Sequence, residues 1–138
     1  MYKVIIIEDD PMVASINKQY VELTSSFHVE ATFKNGILAL QYLQNCTVDL
    51  IILDYYTPQM NGDEFIDQLH AAGMTPAIIM VTSANDAETV RRLISRGVTD
   101  YLVKPFEYDR FKAALERFAK RQEELKTSAS ASDLGQAE

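Results

Sequence analysis

Two apolar runs in this chain end in carboxylates, and its chemistry would lie at those ends. Leu50-Ile51-Ile52-Leu53 drives into Asp54 before the chain breaks into Tyr55-Tyr56-Thr57-Pro58-Gln59-Met60-Asn61-Gly62. Val4-Ile5-Ile6-Ile7 drives into Glu8-Asp9-Asp10-Pro11. Short apolar runs bounded by turn residues read as strands covered on both faces, the habit of parallel sheets. In such sheets ligands gather at the carboxyl ends of the strands. Taken alone, Asp54 reads equally as the start of a turn. Asp10 has a structural explanation, as a helix N-cap followed by proline at the first helical position. Glu8 and Asp9 have none. If the two strands are neighbours, Glu8, Asp9 and Asp54 converge, and clustered carboxylates repel unless one is protonated or a cation joins them. A divalent cation is the economical answer, and all-oxygen donors suit Mg2+.

Two more strand ends add different groups to the same edge. Ala77-Ile78-Ile79-Met80-Val81 leads to Thr82-Ser83-Ala84, and Asp100-Tyr101-Leu102-Val103 leads to Lys104-Pro105-Phe106. Singly, Thr82 reads as a helix cap and Lys104 as a solvated charge. Together the four ends supply a metal site, a carboxylate nucleophile, a hydroxyl and a fixed cation. Phosphoryl transfer onto an acid requires that set.

The elements that would position these groups alternate along the chain. Pro11–Leu23 carries Val13, Ile16, Tyr20 and Leu23 at helical spacing, and Val29, Ala31 and Phe33 alternate like a strand against one face. Helices follow at residues 36–45 with Ile37, Leu40 and Leu43 inward, at 64–72 with Phe65, Ile66 and Leu69, and at 87–96 with Val90, Leu93 and Ile94. The last, 108–126, turns Phe111, Ala114, Leu115 and Phe118 inward. Five strands and five helices in alternation predict an α/β fold, a doubly wound sandwich. Residues 127–138 are Ser/Ala/Gln with a single Leu, too poor in apolar side chains to order themselves, and read as a linker or tail.

The 138 residues fit one domain large enough for a core without staples. A single cysteine, Cys46, reads as a helix-end packing residue and fits a reducing cytoplasm. Neither a signal sequence nor a membrane span is legible. A net charge of -7 makes the chain by itself a poor DNA binder. Arg91, Arg92 and Arg96 are the local exception and read as a solvated helix face. His28 and His70 lack neighbours that would make them ligands or phosphoryl acceptors, and read as surface residues.

From about Tyr2 to Lys126 the chain resembles the response-regulator receiver domain of two-component signalling. The set Glu8/Asp9, Asp54, Thr82 and Lys104-Pro105, with the Pro58-x-Met60-x-Gly62 loop, carries the resemblance. It implies a flavodoxin-like (βα)5 sandwich with parallel strand order 2-1-3-4-5. It further implies that Asp54 accepts a phosphoryl group from a histidine kinase. Asp9 and Asp54 would ligate Mg2+ directly, with the backbone carbonyl of Tyr56 as a third ligand and Glu8 acting through water. Thr82 and Lys104 would contact phosphoryl oxygens, the Lys104-Pro105 peptide would be cis, and Thr82 with Tyr101 would form the switch. Glu8 replaces the more usual Asp, and Thr57 stands where Met or Leu is frequent; neither removes a required group.

Residues 81–90 and 97–106 look like the branch paired with citrate and C4-dicarboxylate sensor kinases. Members of that branch carry a C-terminal DNA-binding domain, so residues 1–126 are expected to be a receiver and 127–138 the way toward an output domain. A cytoplasmic phosphoacceptor switch, not a turnover enzyme, is implied, with a homodimer formed on phosphorylation, DNA reached only through the further domain, and no membrane partner. A stand-alone receiver acting by protein binding is the alternative. A haloacid-dehalogenase-type phosphatase needs a second acid two residues after the nucleophile, where this chain has Tyr56. A flavodoxin-like redox protein needs a Ser/Thr/Gly-rich loop after the first strand, where this chain has acids.

Overall fold

The alternation of patterns becomes a three-layer sandwich. In chain order the elements are β1 (Tyr2–Ile7), α1 (Pro11–Leu23), β2 (Phe27–Phe33), α2 (Gly36–Leu43), β3 (Leu50–Asp54), β4 (Tyr56–Thr57), β5 (Met60–Asn61), α3 (Gly62–Ala71), β6 (Ala77–Thr82), α4 (Ala87–Ser95), β7 (Asp100–Val103) and α5 (Tyr108–Ala137). The structure is a computed structural model and describes residues 1–83 and 87–137, with side chains as far as residue 127. Ala84, which closes the expected Thr82-Ser83-Ala84 strand end, lies outside the described residues.

Five parallel strands form one sheet in the order β2-β1-β3-β6-β7, the expected 2-1-3-4-5 arrangement once the two-residue strands β4 and β5 are set aside. That antiparallel pair, Tyr56 with Asn61 and Thr57 with Met60, was not anticipated. It closes the loop after Asp54, where Pro58 and a positive φ at Gln59 (72°) turn the chain. β3 is buried at every residue, as a central strand covered on both faces must be. Alternate residues of the strands feed two cores. Val4, Ile6, Leu50 and Ile52 pack with Val21, Phe111, Leu115 and Phe118 under α1 and α5. Ile5, Ile7, Ile51 and Leu53 pack with Ala39, Phe65, Leu69 and Leu93 under α2, α3 and α4.

Local signals set the helix ends. The Asp10 carboxylate accepts from the Met12 and Val13 amides (2.9 and 3.3 Å) and Pro11 opens α1, as the sequence predicts. α3 begins with a reciprocal box, Asn61 accepting from the Glu64 amide and Glu64 from the Asn61 amide.

The structure corrects several inward faces. β2 does not turn Val29, Ala31 and Phe33 to one side, because a bulge falls where Val4 pairs with Val29 and Ile5 with Ala31. The extra residue, Glu30, moves everything after it to the opposite face, so Phe27 and Val29 join the α1/α5 core while Ala31 and Phe33 pack on the other. α1 buries Asn17 and Val21 and leaves Ile16 and Leu23 exposed; a polar residue at the centre of the buried stripe displaced the apolar reading. α2 buries Gly36, Ala39 and Leu43 and exposes Ile37, since Gly36 lets the helix start against Phe65 and Met60. α4 buries Leu93 but leaves Ile94 exposed. Cys46 is exposed and not a packing residue. α3 and α5 bury the residues expected of them, and His28 and His70 are exposed. α5 continues without a break past Lys126 to Ala137, since alanine and serine tolerate helix and neither Pro nor Gly intervenes before Gly135. Among the described residues no helix is long and apolar enough to cross a membrane.

Gly62, near Asp54, has no room for a side chain. A Cβ there would stand 2.7 Å from Tyr55 Cδ2 and 2.9 Å from Met80 Cε. Met80 can give way, but the Tyr55 ring is fixed by its hydroxyl, which donates to Asp63 (2.5 Å). Alanine would gain about 1 kcal/mol of helix propensity against about 1–3 kcal/mol for overpacking. Gly62→Ala should therefore lower the urea midpoint, and an equal or higher midpoint would show that the ring yields.

Candidate functional site

Register brings the carboxylates together. β1 pairs Ile7 with Leu53, so the next residues, Glu8 and Asp54, leave the sheet side by side, and Asp9 follows at the rim. One carboxylate oxygen from each of Glu8, Asp9 and Asp54 lies within 4.8 Å of the others. Glu8 and Asp54 are buried and Asp9 is exposed, so the cluster is anchored inside and open on one side. A cavity of about 340 Å³ opens beside it, lined by Glu8, Asp9, Pro11, Ala14, Lys18 and Lys34 among others.

Lys104 arrives from the far edge. β6 pairs Thr82 with Val103, and the Lys104 amide donates to the Thr82 carbonyl (2.8 Å), which carries the lysine across the ends of β6 and β3. Its Nζ donates to Glu8 Oε1 (3.0 Å) and Asp54 Oδ2 (3.2 Å). Burial alone would lower the Lys104 pKa, but the hydrogen bonds and charge of Glu8 and Asp54 outweigh it and hold the ammonium above the ordinary lysine value. The peptide that follows, Lys104-Pro105, is cis as expected. Asp54 Oδ1 accepts from the Tyr56 amide (3.3 Å) and Glu8 Oε2 from the Asp10 amide (3.1 Å).

Three carboxylates against one ammonium leave two negative charges uncompensated. Hard oxygens, a doubly negative remainder and an open side suit a small divalent cation. Thr82 is buried at the end of β6, beside the strand that carries Asp54. Tyr101 pairs with Met80 two residues before Thr82, and its half-buried ring packs on the α3/α4 core. Glu8, Asp9, Asp54 and Lys104 thus meet at one edge of the sheet, Thr82 ends the strand beside Asp54, and Tyr101 lies on the strand that leads to Lys104. Tyr56 is 58% exposed, with its ring edge-on to Tyr55 at 4.7 Å.

Sequence reasoning missed a second charged group beside the first. The Tyr55 hydroxyl and Asp63 are met by Arg92 of α4 and by Arg96 just after its last residue: Arg92 approaches the Tyr55 hydroxyl (3.2 Å) and Asp63 (2.8 Å), and Arg96 pairs with Asp63 (2.9 Å) and with Asp67. Two of the three arginines read as a solvated face are thus bonded to α3. Burial pushes the Asp63 carboxyl up, but Arg92, Tyr55 and Arg96 together hold it below its ordinary value. The spacing Arg92-x-x-x-Arg96 opposite Asp63-x-x-x-Asp67 was the available signal, one helical turn against another.

The response regulator receiver domain family matches residues 4–116. Among relatives, "Probable C4-dicarboxylate response regulator DctR" of Priestia megaterium is 40% identical over 117 residues, covering 85% of this chain and 51% of its own length. "Transcriptional regulatory protein DcuR" of Escherichia coli K12 is 38% identical over 117 residues, covering 83% and 49%. The chain thus spans about half the length of these relatives. Among solved structures, a signal receiver domain from Vibrio parahaemolyticus superposes with a TM-score of 0.83 at 27% identity, covering 92% of this chain and 96% of that one. With the acids, Lys104 and the cis peptide in place on a 2-1-3-4-5 sheet, the chain belongs to the response regulator receiver domain family, whose function is to accept a phosphoryl group.

Proposed function

We propose that this chain is the cytoplasmic receiver portion of a two-component transcription regulator, and that Asp54 takes the phosphoryl group of a sensor histidine kinase. The observation that carries the proposal is the juxtaposition of buried Glu8 and Asp54 under one ammonium, Lys104, with Asp9 open at the rim. An Asp54 oxygen attacks phosphorus, the bond to the donor nitrogen breaks as the new bond forms, and the electron pair returns to the imidazole. Lys104, already bonded to Asp54, moves onto the phosphoryl oxygens, and the buried Thr82 hydroxyl donates to another. Asp9, Asp54 and the Tyr56 carbonyl would hold Mg2+. Glu8 acts through water, which fits the engagement of its two oxygens by Lys104 and the Asp10 amide. When bound, the cation would neutralise the nucleophile and the incoming group.

The relatives' names, one a C4-dicarboxylate response regulator and one a transcriptional regulatory protein, support a transcription regulator of the C4-dicarboxylate type. Residues 127–138 then lead toward an output domain that would contact DNA, a reading supported by the half-length match to those relatives. Phosphorylation draws Thr82 toward the phosphoryl group and Tyr101 inward, and the face made by α4, β7 and α5 pairs with a second copy about a two-fold axis. Exposed Ile94 belongs to this face.

Three outcomes follow from these assignments. Acetyl phosphate with Mg2+ should add one phosphoryl mass to the chain, lost in Asp54→Asn or on chelation; equal labelling of Asp54→Asn would refute the acceptor assignment. Tyr56 is exposed and has no carboxylate or amide to orient a hydrolytic water, and neither has Ala84, which lies outside the described residues. Tyr56→Asn combined with Ala84→Glu should speed phosphate loss by at least ~10-fold, a modest share of what orienting groups contribute, and an unchanged radiolabel decay would place control elsewhere. In analytical ultracentrifugation, beryllofluoride with Mg2+ should convert monomer to dimer; a species that stays monomeric well above micromolar concentration would count against the pairing.

A further inference from the structure

α4 is held differently from its neighbours. α3 buries Gly62, Phe65, Ile66 and Leu69, whereas among the described residues of α4 Leu93 alone is fully buried. Its attachment is completed by the guanidinium groups of Arg92 and Arg96, which reach Asp63 in the first turn of α3. The Tyr55 hydroxyl stands inside this group, donating to Asp63 (2.5 Å) and lying 3.2 Å from Arg92.

Tyr55 is also the residue between Asp54 and Tyr56, and it has little freedom of its own. Its amide donates to the Val81 carbonyl (2.8 Å), and its carbonyl accepts from the Gly62 amide (2.8 Å). Its ring lies where even one carbon added to Gly62 would collide with it. A phenol pinned in this way cannot follow a moving α4 without pulling on the peptide that joins Asp54 to Tyr56. Displacing that peptide in turn disturbs the bonds that hold Arg92. A hydrogen bond to a charged partner weakens steeply once its distance and angle are lost, so the group has a bonded and a broken state with little between.

We propose that the Tyr55 hydroxyl, held between Asp63 and Arg92, is a positioning group that couples the phosphoacceptor loop to α4. The seating of α4 and the chemical state of Asp54 then bias each other, as linkage requires of any coupled pair of sites. This rests on the receiver reading and adds to it a route of communication separate from Thr82 and Tyr101. A brace with no coupling would stabilise α4 equally whether or not Asp54 was modified, and the two cases are separable.

Hydrogen exchange by mass spectrometry on the whole chain, with and without Mg2+ and beryllofluoride, makes the test. In the wild type, beryllofluoride should change exchange across Ala87–Ser95. Tyr55→Phe, which keeps the ring, should speed resting exchange there by about 10-fold, the scale of one hydrogen bond in such a group. It should leave peptides from β1 and β3 unchanged and shrink the response of α4 to beryllofluoride. Arg92→Met should reproduce both effects from the other side. Unchanged α4 exchange in both variants, a uniform rise across all peptides, or a full-sized beryllofluoride response in the variants would overturn the coupling. Failure of the receiver reading looks different: wild-type Asp54 would take no phosphoryl group by mass and no peptide would respond to beryllofluoride, while both variants would still loosen α4.

Discussion

Two buried carboxylates side by side are the constraint around which the molecule is organised. Parallel pairing of β1 with β3 forces Glu8 next to Asp54, and the repulsion of these two buried carboxylates is offset, among the described residues, by the ammonium of Lys104 bonded to both. Removing one partner of a buried charge group leaves the others unsatisfied and costs several kcal/mol. That one lysine therefore has to be delivered accurately, and much of the distal half of the chain serves the delivery. β6 and β7 set its height, its own amide ties it to the Thr82 carbonyl, and the turn at Pro105 carries the chain away before α5. Lys104 neutralises only part of the cluster, and the remainder is the charge that a small divalent cation would balance.

The parts of this arrangement that were legible in the sequence share a physical cause. Apolar runs covered on both faces have few ways to fold, so the three central strands β1, β3 and β6 and the groups at their ends could be read from residue type alone. Asp10-Pro11 marked a helix start because its chemistry is local. Amphipathic helices were harder. α3 and α5 declared their buried faces, but α1 turns Asn17 inward while Ile16 and Leu23 face water, a choice made by the neighbours it packs against and not by its own periodicity. The bulge at Glu30 was invisible for a related reason: nothing in Val29-Glu30-Ala31 violates alternation, and only the pairing with β1 reveals the extra residue. The acids and the lysine at the site were found because each closes a strand. The α3–α4 ion pairs were missed because the arginines and aspartates that form them lie 29 or more residues apart and each looks like an ordinary surface charge.

Taken together, the sheet and its two cores form a rigid base, and the variable features sit on one edge of it. Lys104, Thr82 and the acids stand where four strands stop, and the loop after Asp54 is shaped by the short β4/β5 pair and by the close approach of Tyr55 to Gly62. The backbone at that edge is tightly fixed, so a small displacement there would be passed outward more readily than absorbed.

The character of the α3–α4 contact separates that helix from the rest of the sandwich in its response to solution conditions. Arg92 and Asp67 are partly open to water, so ions can approach the pairs they form. At physiological ionic strength the screening length is about 8 Å and it shortens as salt rises. The apolar cores beneath α1, α3 and α5 do not weaken with added salt, and strongly hydrated anions reinforce them. Ionic strength should thus act selectively on this domain, loosening the arginine-tethered helix while the strands carrying Asp54 remain as they are.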